Sequence, residues 1–400
     1  MASIITDMQV FNDNYIPPRL IVRAEEADRI VWRIVNKILK SGNLLDLTMI
    51  YGQIGRVGIG KTTLARYSAL KASEELKARG VRLRYAMVNA YGAPSLIDIL
   101  SAVVNSLGLR IPVRGASFIE TMKSLTDYLM IKDEYLLIIL DEFQGILLSN
   151  KISADDLYRL LRVYEEVPAS DGISRIGYIL VANDVRALAY MREKIPQVES
   201  QIDFMLHLRA YSSYDLYRIL EQRAELGLAH DSYSPYVLEM IADRYGEDKG
   251  GEGSARKAIK ALQRAAERAE MRGSPRIEED DVRHALAQDS YASVDLRLLR
   301  GLDTHMLLVL YALARATGRR GGWVQTSLLR AEYESASETF GERPRRHTQF
   351  YEYINTLSRL GLIEKGAEKG KMGRVRLAPE IPVDVLLEVL DHILIDRMSG

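Results

Sequence analysis

Residues 55–62 read Gly-Arg-Val-Gly-Ile-Gly-Lys-Thr, a fit to the pattern G-x-x-x-x-G-K-[ST]. Glycines at these spacings let backbone N–H groups close around phosphate oxygens. The lysine that follows supplies a cation for the β- and γ-phosphates, and the hydroxyl after it a ligand for Mg²⁺. Gly55, Arg56, Val57, Gly58, Ile59, Gly60, Lys61, Thr62 and Thr63 are therefore the candidate phosphate-binding residues. A second chemical signature lies farther along, where the apolar run Tyr135–Leu140 ends in Asp141 and Glu142. Asp141 is placed to hold Mg²⁺, directly or through water. Glu142 is placed to polarise a water attacking the γ-phosphate.

These residues need particular elements to position them. A phosphate loop requires a strand leading in and a helix leading out. The apolar run Leu47–Tyr51 reads as that strand, and Thr63–Arg79 reads as that helix, with its positive end at the loop. The unbroken apolar run before Asp141 suits a strand buried on both faces of a parallel sheet. Open α/β sheets place their chemistry at the carboxyl ends of such strands. Further strands are expected at Arg82–Asn89, Ile176–Ala182 and Met205–Leu208, so residues 1–210 read as a parallel α/β domain. Residues 211–292 contain no such runs and read as amphipathic helices at Tyr214–Leu226, Pro235–Tyr245, Ser254–Arg272 and Glu278–Gln288, with a glycine-rich break from Gly246 to Gly253. In residues 293–400 the pattern predicts helices at Asp303–Thr317, Trp323–Thr339 and Thr348–Leu360. Short strands follow at Leu362–Glu364 and Arg374–Leu377, which together make a winged-helix pattern.

A chain of 400 residues with 47% hydrophobic and 27% charged residues has the composition of a globular protein of two to three domains. It has no cysteine and only six histidines, which excludes disulfides and cysteine-ligated zinc. No secretory signal and no apolar run long enough to span a membrane stands out, so a cytoplasmic ATP user is expected. Net charge is zero, yet the window from Arg343 to Arg376 carries nine bases and three acids. Such clustering is the electrostatic footprint of a phosphate-backbone binder. Arg343, Arg345, Arg346, His347 and Gln349 fall at or just before the start of the third helix, where a recognition helix meets the major groove. Lys369, Lys371 and Arg374 would decorate a wing.

In this order, the phosphate loop, the Asp-Glu strand, the helical segment and the winged helix resemble the archaeal replication initiators. These are AAA+ ATPases related to the eukaryotic origin recognition complex and cell division control proteins. The resemblance implies an AAA+ P-loop parallel-sheet domain (1–210), an all-helical lid (211–292) and a C-terminal winged-helix domain (293–400). It implies ATP or ADP with Mg²⁺ as ligands. The implied partners are double-stranded origin DNA, the replicative helicase and other initiator subunits, with no membrane partner and a nucleoid-associated cytoplasmic location. The segment Tyr15–Arg23 is similar to the family's N-terminal segment that packs on adenine, which brings in Tyr15, Ile16, Pro17 and Arg23. Asn183 matches the polar sensor 1 residue that orients the attacking water. Arg256, in Gly253-Ser254-Ala255-Arg256-Lys257, matches the lid arginine of sensor 2. Residues 107–114 lie where the family carries a helical insertion in its ATPase domain. The chain departs from the family in two places. Extra residues, beginning at Gln53, separate Tyr51-Gly52 from the glycine loop. The stretch Val198-Glu199-Ser200-Gln201 holds no arginine finger, and Arg192 is the nearest arginine to it. Expected hydrolysis is therefore slow, a switch rather than a motor. The sequence leaves open a nucleotide-regulated protein-interaction or transcription regulator, and a branch-migration type motor.

Overall fold

The computed structural model describes residues 3–399 except 92, 94, 114, 149–150, 163–164, 166, 197–201, 293–295, 321–322, 367–372 and 378–382. The chain forms two compact units, Met1–Val282 and Arg283–Gly400.

The first unit is built on β1 (Leu47–Gly52), β2 (Arg82–Asn89), β3 (Glu134–Asp141), β4 (Ile176–Ala182) and β5 (Phe204–Leu208). Their order across the sheet is β2-β3-β4-β1-β5, and every pairing is parallel. The helix α1 (Ala24–Ser41) precedes β1, and between the strands come α2 (Lys61–Lys77), α3 (Leu96–Ser106), α4 (Phe118–Lys132), α5 (Gln144–Leu148), α6 (Ala154–Leu161) and α7 (Arg186–Lys194). Leu136, Ile138 and Leu140 of β3 join one core with residues of α3, α4, α6 and α7. A strand's period of two sends Leu137 and Ile139, also buried, to the opposite face. That double burial is why the run contains no polar residue. Serines set several helix starts: Ser117 with Glu120 and Ser153 with Asp156 form capping boxes at α4 and α6.

The unit continues into the helices α8 (Ser213–Gly227), α9 (Pro235–Tyr245) and α10 (Ala255–Met271). Another capping box, Ser212 with Asp215, starts α8, and Pro235 opens α9 where its missing N–H costs nothing. The buried stripe Ala258, Ala261, Ala265 and Ala269 of α10 allows close packing of the helical layer. The following helix, α11 (Glu279–Ala292), has an acidic first turn, favourable to its dipole.

In the second unit, α12 (Leu296–Gly301) precedes α13 (Thr304–Arg320), whose residues Leu307–Leu310 and Ala312–Ala314 are all buried. A helix apolar all round must be covered on every side. Around it stand β6 (Val324–Gln325), α14 (Thr326–Thr339), α15 (His347–Arg359), β7 (Ile363–Gly366), β8 (Arg374–Leu377) and α16 (Val383–Ser399). The three strands form an antiparallel sheet in the order β6-β8-β7. Besides shifted helix and strand ends and the unexpected α12, the unit departs from the expected pattern in its sheet and in its last helix. Val324 and Gln325 pair with Val375 and Arg374 as a strand, so the helix expected from Trp323 begins at Thr326. The C-terminal helix α16, absent from the expected elements, closes the core of α13 with Leu386, Val389, Leu390, Ile393 and Leu394. No helix among the described residues is long and apolar enough to cross a membrane.

At the amino end of β1 the carboxylate of Asp46, 3% exposed, accepts from Thr48 Oγ1 at 2.6 Å. It also pairs with Arg33 at 3.2 Å and with Lys37 at 3.1 Å, both on α1. Neutralising Asp46 leaves the two cations with Asp203 alone, 3.0 Å from Lys37 and 3.9 Å from Arg33. Asp46→Asn is expected to lower unfolding stability by about 2 kcal/mol, discounted because both cations keep some solvent. Denaturant unfolding checks this, and a loss below about 0.5 kcal/mol would show that the cluster does not hold α1 to the sheet.

Candidate functional site

Parallel pairing brings every strand of the first sheet to the same edge at its carboxyl end. The chain leaves β1 through residues 53–60 and enters α2 at Lys61; Gly55, Gly58 and Gly60 all have positive φ there. At Gly60 a Cβ would run into the Tyr211 hydroxyl. At Gly58 it would run into Ser254 Oγ, so a side chain at either position would have to displace a neighbour as well as strain the backbone. Asp141 ends β3, Asn183 follows β4, and Gly52 N–H donates to the Asn183 carbonyl at 3.2 Å.

These ends surround a cavity of about 510 Å³. Val57, Gly58, Ile59, Gly60, Lys61, Thr62 and Thr63 line it from the loop; Asp141, Glu142 and Asn183 line it from the strand ends. Arg256 lines it from α10, and Pro17 and Arg23 from the N-terminal segment. Four other predicted residues, Tyr15, Ile16, Gly55 and Arg56, are not part of the lining. The Tyr15 ring instead lies under the Arg223 guanidinium at 4.6 Å, and Arg56 Nη1 donates to the Gly251 carbonyl at 3.3 Å. Leu20, Ile21 and Val22, from the segment Tyr15–Arg23, also line it, as do residues that the sequence did not reveal: Asp13, Asn89, Tyr211, Ile219, Gln222, Arg223 and Ile259. A signal existed for Asn89. It is the polar end of an apolar strand and pairs in register with Asp141. Tyr211 had none, because its place depends on the chain's turn from β5 into α8.

The electrostatics suit a polyanion with a divalent cation. Lys61 is 8% exposed; burial pushes its ammonium down, while the carboxylates of Asp141 and Asp184 pull it back up. Asp184 is buried and paired with Arg186 at 2.6 Å, an ion pair that holds its carboxyl low. Burial pushes Asp141 up, against hydrogen bonds from the Thr62 hydroxyl at 2.9 Å and the Glu142 N–H at 3.0 Å. A hydroxyl and a carboxylate this close, facing a phosphate-sized cavity, form the hard oxygen set that Mg²⁺ takes alongside phosphates and water. Glu142 has φ +52°, and the turn it makes lets Phe143 N–H donate to the Val181 carbonyl at 2.9 Å. Across the mouth, Arg256 Nε lies 3.6 Å from the Asp13 carboxylate. Arg192 is exposed on α7, and residues 198–201 lie outside the described residues.

The basic region of the second unit is assembled differently. Arg343, Arg345, Arg346, His347 and Gln349 are all exposed at or just before the start of α15. No side chain caps α15. The segment before it is instead held from below. The fully buried Tyr333 accepts from Arg345 N–H at 3.0 Å and shares a 2.9 Å hydrogen bond with His305 Nδ1. Arg330 donates to the Arg345 carbonyl at 2.7 Å. Burial, then the Arg345 charge, hold the His305 imidazole below its ordinary range. Arg374 is half-buried on β8, while Lys369 and Lys371 lie outside the described residues. Arg376 is occupied by Glu364 at 2.5 Å and lies over the Trp323 ring at 4.6 Å. Lys365 donates to Asn355 at 2.7 Å.

Comparison with known proteins finds three matching family models. An AAA domain matches residues 50–183, a Cdc6 AAA+ ATPase-type lid domain matches 217–287, and a CDC6 C-terminal winged-helix domain matches 297–384. The chain is 50% identical over 399 residues to ORC1-type DNA replication protein 2 of Aeropyrum pernix, covering 98% of this chain and 97% of that one. It is 33% identical over 400 residues to the protein of the same name from Saccharolobus solfataricus, covering 98% and 93%. A solved structure of the Aeropyrum pernix ORC2 protein, described as ADPNP-ADP complexes, matches the whole of both chains with 49% identity and a TM-score of 0.77.

A polyphosphate entering the cavity would favour charged Lys61 and raise its pKa from the depressed value of the free protein. Between those two values binding takes up a proton. Affinity is complete below the free-state pKa and falls as pH rises through the window, which begins on the alkaline side below 10.5. Calorimetry of ATP binding in alkaline buffers of different ionisation enthalpy is expected to show proton uptake. Zero uptake across that range would remove Lys61 from the contact.

Proposed function

The chain belongs to the archaeal ORC1-type DNA replication proteins, and from that premise we propose that it is an initiator that binds origin duplex DNA and is set by ATP or ADP. Its proposed working parts are the nucleotide-binding domain 1–210, the lid 211–292 and the winged-helix domain 293–400. The observation that carries this reading is one cavity collecting Lys61, Thr62, Asp141, Glu142 and Asn183 from the sheet edge and Arg256 from the lid. In this reading the apolar side chains Leu20, Val22, Ile219 and Ile259 receive the base. The loop N–H groups and Lys61 hold the phosphates. Thr62 and Asp141 would hold Mg²⁺, which supplies charge neutralisation at the β- and γ-phosphates. Glu142 accepts a proton from the attacking water, Asn183 orients that water, and Arg256 senses the γ-phosphate from the lid. Hydrolysis is slow and changes the lid's engagement rather than driving movement along DNA.

Duplex DNA binds in this reading through the exposed Arg343, Arg345, Arg346, His347 and Gln349 at α15, with Arg374 and the wing alongside. Most of these contacts go to phosphates. The basic start of α15 in a chain of zero net charge supports the assignment. The helicase and other initiator subunits are the proposed protein partners, and the nucleoid the proposed location.

Lys61→Ala is expected to remove tight ATP binding; unchanged affinity in calorimetry would sink the nucleotide assignment. Glu142→Gln is expected to keep that affinity while slowing single-turnover hydrolysis by about 10²-fold or more. Full turnover would show that another group activates the water.

For DNA, the double replacement of Arg345 and Arg346 by Ala is expected to weaken duplex binding. It should also reduce the slope of log K against log salt by about 2. An unchanged slope in a fluorescence-anisotropy titration would take the start of α15 out of the phosphate contacts.

A further inference from the structure

Gln53 is the first of the extra residues between the end of β1 and the glycine loop, Arg56 follows Gly55 within that loop, and neither side chain lines the cavity. The Gln53 amide donates to Glu247 Oε1 at 3.2 Å, and its oxygen accepts from the Ala210 N–H at 3.4 Å. Arg56 donates to the Gly251 carbonyl, and the Gly58 carbonyl accepts from the Ala255 N–H at 3.0 Å. The acceptors and donors on the far side share one location. Ala210 ends the link from the sheet, and Glu247, Gly251 and Ala255 belong to the segment 246–255 that leads into α10. Arg256 stands in the first turn of that helix. The segment has little slack of its own. A Cβ at Gly246 would lie 2.6 Å from the Ser213 backbone, and one at Gly253 2.7 Å from the Tyr211 N.

We propose that this lengthened loop is a tether between the phosphate site and the lid. Gln53 and Arg56 act as positioning residues. They hold segment 246–255, and Arg256 with it, against the loop, so the bonds must break before a nucleoside diphosphate can leave. The proposal rests on the nucleotide reading above and adds to it a determinant of nucleotide exchange that touches no part of the nucleotide. The site is closed by contacts that do not depend on the γ-phosphate. Loss of ADP is therefore governed by loop–lid bonds as well as by phosphate contacts.

The test is the release rate of a fluorescent ADP analogue from the full chain, followed in stopped flow after mixing with excess ADP. Gln53→Glu keeps the acceptor for Ala210 and sets a second carboxylate against Glu247. Release is expected to quicken by about fivefold or more, the scale of one lost hydrogen bond plus a like-charge contact. Adding Glu247→Gln to that variant restores a donor–acceptor pair with the roles exchanged and is expected to return the rate most of the way. General loosening of the fold would not be rescued. Arg56→Ala is expected to quicken release on its own. Release at the unsubstituted rate in both Gln53→Glu and Arg56→Ala, or no rescue in the double variant, overturns the tether. If the unsubstituted protein holds no analogue at all, the nucleotide reading falls and the tether with it.

Discussion

Parallel hydrogen bonding across five strands is the constraint from which the rest follows. It obliges β1, β3 and β4 to finish on the same edge, so residues 52, 141 and 183 meet although they are far apart in sequence. The order β2-β3-β4-β1-β5 places β1 between β4 and β5, and the loop leaving β1 opens into the space at that edge. The same edge receives the amino end of α2 and, from the helical layer, the amino end of α10. Both helices point their positive ends toward the cavity, which concentrates attraction for an anion before any side-chain charge is added.

The charges follow a matching logic. The sheet's opposite end holds a closed cluster of Arg33, Lys37, Asp46 and Asp203, in which each charge has a partner. At the carboxyl edge, Lys61 is held down and Asp141 is held up by burial, so both are costly to keep charged until a ligand arrives. One end of the sheet is finished as structure; the other is left electrostatically incomplete, which is the condition for a site.

Much of this was legible in the chain. The strands Arg82–Asn89 and Ile176–Ala182 keep the expected bounds residue for residue: the second is buried at every position, while the first, at the sheet's edge, is buried only at Leu83, Ala86 and Val88. Lys61, Thr62, Asp141 and Glu142 were nameable from local motifs, and Asn183 and Arg256 from the family resemblance; each sits beside a strand or helix end that the pattern already located. Tyr211, Arg223 and Asp13 were not. They reach the cavity through the fold's long-range closure, and no local spacing encodes that. The helix Val383–Ser399 shows a different failure. No helix was expected there, although the spacing of Leu386, Val389, Leu390, Ile393 and Leu394 puts them on one buried face. Those residues exist because α13 is apolar on every side and needs a last cover.

Glu142 is one of few non-glycine residues here with a left-handed backbone, at φ +52°. Such a conformation costs a side-chain-bearing residue about 1 kcal/mol or more, and glycine would adopt it freely. Stability and chemistry therefore pull this position in opposite directions. A laboratory evolution scheme that rewards only survival of heating would drift toward glycine at 142. It would deliver a tougher protein with the carboxylate gone from beside the cavity.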